Sequence, residues 1–169
     1  IPGMLPGYDL GQHGIQYSNE GLMIPRGRDN KAGDSGQWGT AFRWLGDNTE
    51  YGAYFMNYHS RTPFLSMKNA EASAMAGLGA VAGAFDPFAG QLPPGFTPTM
   101  LAGAALAVGN GNYFMDYPED IRLYGLSFST TLPTGTAWQG EISYRPNAPV
   151  QINTQDLTLS IAAPALGML

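Results

Sequence analysis

The sequence predicts an all-β fold, a segment of an antiparallel transmembrane β-barrel with about five strands and long loops. Three observations predict it. Bulky residues alternate with small or polar ones at a period of two in several stretches. Tight turn signals join such stretches in pairs, whereas the other connections are long. Aromatic residues make up 12% of the chain and charged residues only 12%, about half the ~25% of ordinary soluble domains.

The composition narrows the function classes further. The 169 residues carry a formal net charge of −5 and a pI near 4.7, which argues against a nucleic-acid partner because such partners select a basic face. There is no cysteine, so no disulfide framework and no thiolate metal site is available. The longest apolar stretch, 72–85, is interrupted by Gly77, Gly79 and Gly83 and falls short of the ~18 residues of a spanning helix. A membrane crossing would have to be made by strands. The ends, Ile1-Pro2-Gly3 and Leu166-Gly167-Met168-Leu169, read as cuts within a longer protein.

Taken in order, residues 1–36 are rich in Gly, Pro and charge and are expected to form a loop. A hairpin is expected over 37–61. Its first strand sets Trp38, Thr40, Phe42 and Trp44 against Gln37, Gly39, Ala41, Arg43 and Leu45. Gly46-Asp47-Asn48 is a tight turn. In the strand that follows, Gly52, Tyr54, Met56 and Tyr58 form one side. The other side is Tyr51, Ala53, Phe55, Asn57, His59 and Arg61. The even set is expected to face outwards, since its last members lack charged and amide groups. Residues 62–118 form a long apolar loop with short helices, interrupted by Pro93, Pro94 and Pro98, which forbid one continuous helix.

A second hairpin is expected over 119–145. Tyr124, Leu126 and Phe128 alternate with Gly125, Ser127 and Ser129. Pro133-Thr134-Gly135 supplies a turn with glycine at the left-handed position. Setting Leu132 opposite Thr136 brings Thr130 to Trp138, Phe128 to Gly140, Leu126 to Ile142 and Tyr124 to Tyr144. Every bulky pair then falls on one face, and Ser127–Glu141 and Ser129–Gln139 fall on the other. A one-residue slip would destroy both patterns. Residues 146–169 are expected to be a loop followed by a further strand near 156–161.

In a membrane barrel the apolar side faces lipid, with aromatic belts near its ends, and the interior is polar. The outward, lipid-facing candidates are therefore Trp38, Phe42, Trp44, Tyr124, Leu126, Phe128, Trp138, Ile142 and Tyr144. The lumen-lining candidates are Arg43, Asn57, His59, Arg61, Gln139, Glu141 and Arg145. The short turns at 46–48 and 133–135 fall at one end of the strands and the long connections at the other, as in outer-membrane barrels. Five strands cannot close such a barrel, which needs at least ~8. The remainder must come from sequence outside this chain or from other chains.

Four stretches carry a resemblance: Asp34-Ser-Gly-Gln-Trp-Gly39, Tyr54-Phe-Met-Asn-Tyr-His-Ser-Arg61, the run from Tyr113 to Phe128, and Gly140-Glu-Ile-Ser-Tyr-Arg-Pro-Asn147. They resemble a family of large pseudomonad-type proteins described as a domain of unknown function, whose members look like outer-membrane barrels longer than this chain. The resemblance covers mainly 34–61 and 112–155. It implies a fragment of a larger barrel with an envelope transport role, near export or lipid-handling machinery. It supplies no catalytic residues.

Other chemistry is weakly signalled. His59 beside Ser60 and near Asn57 suggests a hydrolase triad, but adjacent strand residues point to opposite faces. Asp116, Glu119 and Asp120 would suit a divalent cation or simply a solvated acidic rim. No phosphate loop, zinc spacing or cofactor motif is present, so no catalytic, cofactor-binding or metal residue is assigned. The expected function is a Gram-negative outer-membrane, porin-like channel or transporter for hydrophobic small molecules or lipids, and not an enzyme. The apolar 69–110 segment is its capture surface in this reading, or else a folded-in plug. A structural component of an envelope complex with a filled lumen, and a soluble β-rich binding module, are the alternatives.

Overall fold

A computed structural model describes residues 8–163 and 165. A single 3-10 turn, Leu10–His13, precedes β1 (Gln16–Ser18) and β2 (Gly21–Met23). Then come β3 (Trp38–Leu45), β4 (Thr49–Tyr58) and β5 (Phe64–Lys68). A helical stretch follows: a 3-10 segment Ala72–Gly77, α1 (Leu78–Phe85), a second 3-10 segment Asp86–Gln91, and α2 (Pro98–Asn110). The chain ends in β6 (Asn112–Asp116), β7 (Ile121–Thr131), β8 (Ala137–Tyr144) and α3 (Thr154–Ala162). The structure is 29% helical and 35% strand, so the all-β expectation is corrected to a mostly β chain with helices.

The chain divides into two compact units, 1–29 with 65–115 and 151–169, and 30–64 with 116–150. The first holds the helices. Its core is Leu10, Ile15, Val81, Phe85, Ala102, Ala105 and Leu106, against which Leu78 and Leu101 pack. Helix α2 starts where Thr97 accepts the Met100 N–H at 3.2 Å and Pro98 occupies the first turn, where no N–H is needed. Its small residues let neighbours approach: a Cβ on Gly109 would lie 2.7 Å from the Ile15 Cα. Asn110 closes the helix, its Nδ2 donating to the carbonyls of His13 and Leu106 at 2.9 and 3.0 Å.

Three expectations fail here. The loop expected over 62–118 holds, besides its helices, strands β5 and β6, which pair with each other. The loop expected over 1–36 contains the 3-10 turn and the β1–β2 hairpin, elements too short for periodicity to resolve. The strand expected at 156–161 is helix α3. Leu157 and Ile161 satisfy a helical i, i+4 spacing as well as alternation. Local bonds favour the helix: Asn153 caps the Gln155 N–H at 2.9 Å, and the Thr158 hydroxyl donates back to the Thr154 carbonyl at 2.8 Å.

The second unit is built on a four-stranded antiparallel sheet in the order β3-β4-β7-β8. The β7–β8 register is the one expected, with Phe128 opposite Gly140 and Tyr124 opposite Tyr144. Its turn closes through Leu132 N–H to the Thr136 carbonyl at 2.9 Å, with Gly135 at φ +82°, a conformation side-chain-bearing residues rarely adopt. The β3–β4 turn closes through Gly46 N–H to the Thr49 carbonyl at 2.8 Å. Both tight turns lie at one end of the strands, and the chain leaves and rejoins the sheet at the other. Among the described residues no sheet closes into a barrel; β3 and β8 each have one paired neighbour.

The outward side expected for β4 is corrected. Tyr51 pairs with Trp44 and Phe128, and Phe55 pairs with Thr40 and Tyr124. The odd residues of β4, not the even ones, share the face of the aromatic side chains.

Candidate functional site

The pleat gives the sheet two unlike faces. On one, register sets aromatic residues in two rows across the strands. Near the long-connection end, Trp38, Phe55, Tyr124 and Tyr144 follow one another with ring centroids 4.9, 4.8 and 6.5 Å apart. Near the tight turns, Trp44 stacks on Tyr51 at 5.4 Å and Phe128 meets Trp138 edge-on at 5.0 Å. Between the rows lie Phe42, Ala53, Leu126 and Ile142, one from each strand. This face is open: Phe42 is 65%, Trp44 51% and Ile142 68% exposed. All nine outward candidates named from the sequence lie on it, and Tyr51 and Phe55 join them. Those two were missed because the parity of β4 was judged from β4 alone.

The opposite face is polar at its centre, although Leu45 and Met56 also stand on it, 80% and 43% exposed. Arg43, Glu50, Tyr54, Ser127, Gln139 and Glu141 border a depression of 540 Å³. Arg43 and Glu50 approach to 3.9 Å, both more than half exposed, so the pair contributes little stability. The Tyr54 ring lies over Gly52 and Gly125, and its hydroxyl accepts from Ser127 Oγ at 3.3 Å. A Cβ on Gly52 would come within 2.6 Å of the Tyr54 hydroxyl oxygen. On the aromatic face Phe128 covers Gly140 in the same way, 2.6 Å from where a Cβ would sit. Each glycine lends its missing side-chain volume to a neighbouring ring.

The remaining candidates fall at the long-connection end. Asn57 lies on the aromatic side by register, opposite Trp38 and Arg122, so its grouping with Arg43, Gln139 and Glu141 is corrected. Its Nδ2 donates to the Gly36 carbonyl at 3.0 Å and to Asp120 Oδ1 at 2.7 Å. His59 lies beyond the strand and is 5% exposed. Its Nδ1 accepts the Asp120 N–H at 3.1 Å, which leaves Nε2 to donate to the Ser35 carbonyl at 2.8 Å. Its own N–H donates to Gln37 Oε1 at 3.2 Å. Both ring nitrogens are therefore engaged with backbone, and Ser60 Oγ donates to the Thr62 carbonyl at 2.8 Å. The His59–Ser60–Asn57 group is a clasp, with no imidazole nitrogen free to activate a hydroxyl.

The acidic residues are tied in the same way. Asp116 accepts from Asn30 Nδ2, Glu119 from the Gly33 N–H, and Asp120 from Asn57. No cluster of His, Asp and Glu suited to a metal ion forms among the described residues. Arg61 and Arg145 border a cleft of 720 Å³ at this end of the sheet, together with Trp38, Tyr58 and Phe64.

The family described as "Protein of unknown function (DUF1302)" matches residues 4–168, and the chain belongs to it. No curated protein and no solved structure matches.

Proposed function

We propose, starting from that membership and the two-faced sheet, that the chain is part of an outer-membrane β-barrel protein of a Gram-negative bacterium, a channel or transporter rather than an enzyme. The aromatic face meets acyl chains, and the face bearing Arg43, Glu50, Gln139 and Glu141 lines the lumen. The observation that carries this reading is the sequence of rows: aromatic, aliphatic, aromatic, on an exposed face backed by a polar one. That is the order of belts on strands crossing lipid, with the two rows, six residues apart, spanning about 14 Å of height within a band of ~25 Å. Strand length agrees. The 11 residues of β7 span about 36 Å, or about 25 Å of height at a tilt of ~45°.

A soluble sheet would bury its rings in a core; here Phe55 and Phe128 are half-buried and the others are exposed. A hollow of 500 Å³ bordered by Trp44, Tyr51, Leu126, Phe128 and Ile142 suits an acyl chain. The bare edges of β3 and β8 would be costly in hydrocarbon, at several kcal/mol for each unsatisfied group. The barrel is therefore completed by further strands from the same polypeptide or from other chains. Hydrophobic cargo loses one support: the apolar residues Val81, Phe85 and Leu106 of the 69–110 segment form their own core and are not a capture surface. The filled-lumen alternative, a structural component of an envelope complex, draws on the Tyr54 ring lying across the polar face.

Single cysteines in the full-length protein in membranes test the orientation. Positions 126, 128 and 142 should resist a water-soluble maleimide, and 127, 139 and 141 should react. Equal labelling of both sets, or the reverse order, would exclude the barrel. Ion conductance across a bilayer separates an open from a filled lumen.

A further inference from the structure

We infer that the cleft at the long-connection end of the sheet binds an amphipathic anion, a carboxylate or phosphate head on an apolar body. The cleft is large enough for one, at 720 Å³. Its charged lining consists of Arg61 and Arg145, and no Asp or Glu borders it. In a chain of net charge −5 that is a local reversal of sign. The only ion pairs formed by arginine among the described residues are Arg26–Asp29 and Arg43–Glu50, so both cleft guanidinium groups keep their donors for a ligand. Arginine's forked donors suit carboxylate and phosphate oxygens in two-point contact.

The neighbours decide the rest of the ligand. His59 does not compete for the anion, because its ring nitrogens hold Asp120 and Ser35. These bonds also fix the chain on which Arg61 stands, two residues on. Glu119 and Asp120, which precede the lining residue Ile121, are held by Gly33 and Asn57, and Glu141, four residues before Arg145, borders the separate depression with Arg43 and Gln139. Trp38, Met56, Tyr58, Phe64 and Ile121 supply apolar wall, which a small inorganic anion would leave wet. A site with two cationic forks and an apolar wall fits a charged head and a greasy body together. This deepens the transport reading and rests on it for its biological meaning, since the cleft would stand at the mouth of the barrel. Two sources share this chemistry: a free amphiphile in transit, and the headgroup of a surrounding lipid.

The test uses the full-length protein in phosphatidylcholine nanodiscs and three probes: dodecanoate, uncharged dodecanol, and inorganic phosphate. Binding is followed by calorimetry. Dodecanoate should bind more tightly than either of the others. In the pair Arg61→Gln, Arg145→Gln its affinity should fall about tenfold or more, with dodecanol unchanged. Arg61→Lys with Arg145→Lys should recover part of the loss, and Thr62→Glu should weaken dodecanoate by repulsion without touching either arginine. Equal binding of dodecanoate and dodecanol, or no response to the Gln pair and to Thr62→Glu, overturns the proposal. Replacing half of the lipid by phosphatidylglycerol assigns the source: competition marks a lipid headgroup, and insensitivity a free solute. Cysteine labelling reports on the barrel separately, so arginine-dependent binding without the alternating pattern would retain the cleft and reject the barrel.

Discussion

The two units of this chain treat apolar residues in opposite ways. In the helical unit Leu106 and Val81 are fully buried, and small residues on α2 draw neighbours close enough to exclude water. In the sheet unit Phe42, Leu126 and Ile142 stand exposed, and Ile121 and His59 are the buried large side chains. One unit carries its own core; the other displays on its surface what a core would contain. The hydrophobic effect acts on both, and on the proposed barrel reading the difference lies in the medium: water around the first unit, hydrocarbon against the aromatic face of the second.

The largest test of that contrast is Leu106→Ala, which should cost about 2–5 kcal/mol and appear as early unfolding or proteolysis of the helical unit. Next is Leu126→Lys. In lipid it should cost about 2–4 kcal/mol and reduce assembly into membranes, whereas Ser127→Lys should be tolerated. If Leu126→Lys and Ser127→Lys assemble equally well, the sheet does not face hydrocarbon and the contrast collapses. Gly109→Ala should cost about 1–3 kcal/mol, because the new methyl meets the backbone of Ile15. Gly140→Ala should cost less in the same thermal-stability assay, because the obstacle is the movable ring of Phe128. The smallest effect is Arg43→Gln. Loss of an exposed ion pair should change stability by less than about 1 kcal/mol, while a lumen-facing position should alter ion selectivity in a reversal-potential measurement.

How much of this was legible in the sequence varied by region for physical reasons. The β7–β8 hairpin was readable residue by residue, because Gly135 fixes the turn and both faces alternate strictly. The two-row aromatic pattern was half readable. The parity of β4 was obscured by Asn57, His59 and Arg61, which sit at or beyond the strand end, where polar groups suit either side. Only pairing Tyr51 with Phe128 and Phe55 with Tyr124 resolves it. Helix α3 was misread because Leu157, Leu159 and Ile161 alternate like a strand while Leu157 and Ile161 also fit a helical i, i+4 spacing, and a cap from Asn153 favours the helix. The cleft was invisible as a cavity. Arg61 and Arg145 were picked out singly, but their shared hollow depends on segments far apart in sequence.

The glycine–ring contacts have a mechanical consequence. At Gly52, Gly125 and Gly140 the sheet is only as thick as its backbone, with Phe128 lying on one side and Tyr54 on the other. Side chains stiffen a sheet by crowding their neighbours, and glycines relieve that crowding and admit bending. The pliable zone therefore runs along β4, β7 and β8, and a wall curling towards closure would take its tightest radius there, with the two rings bracing it from either side.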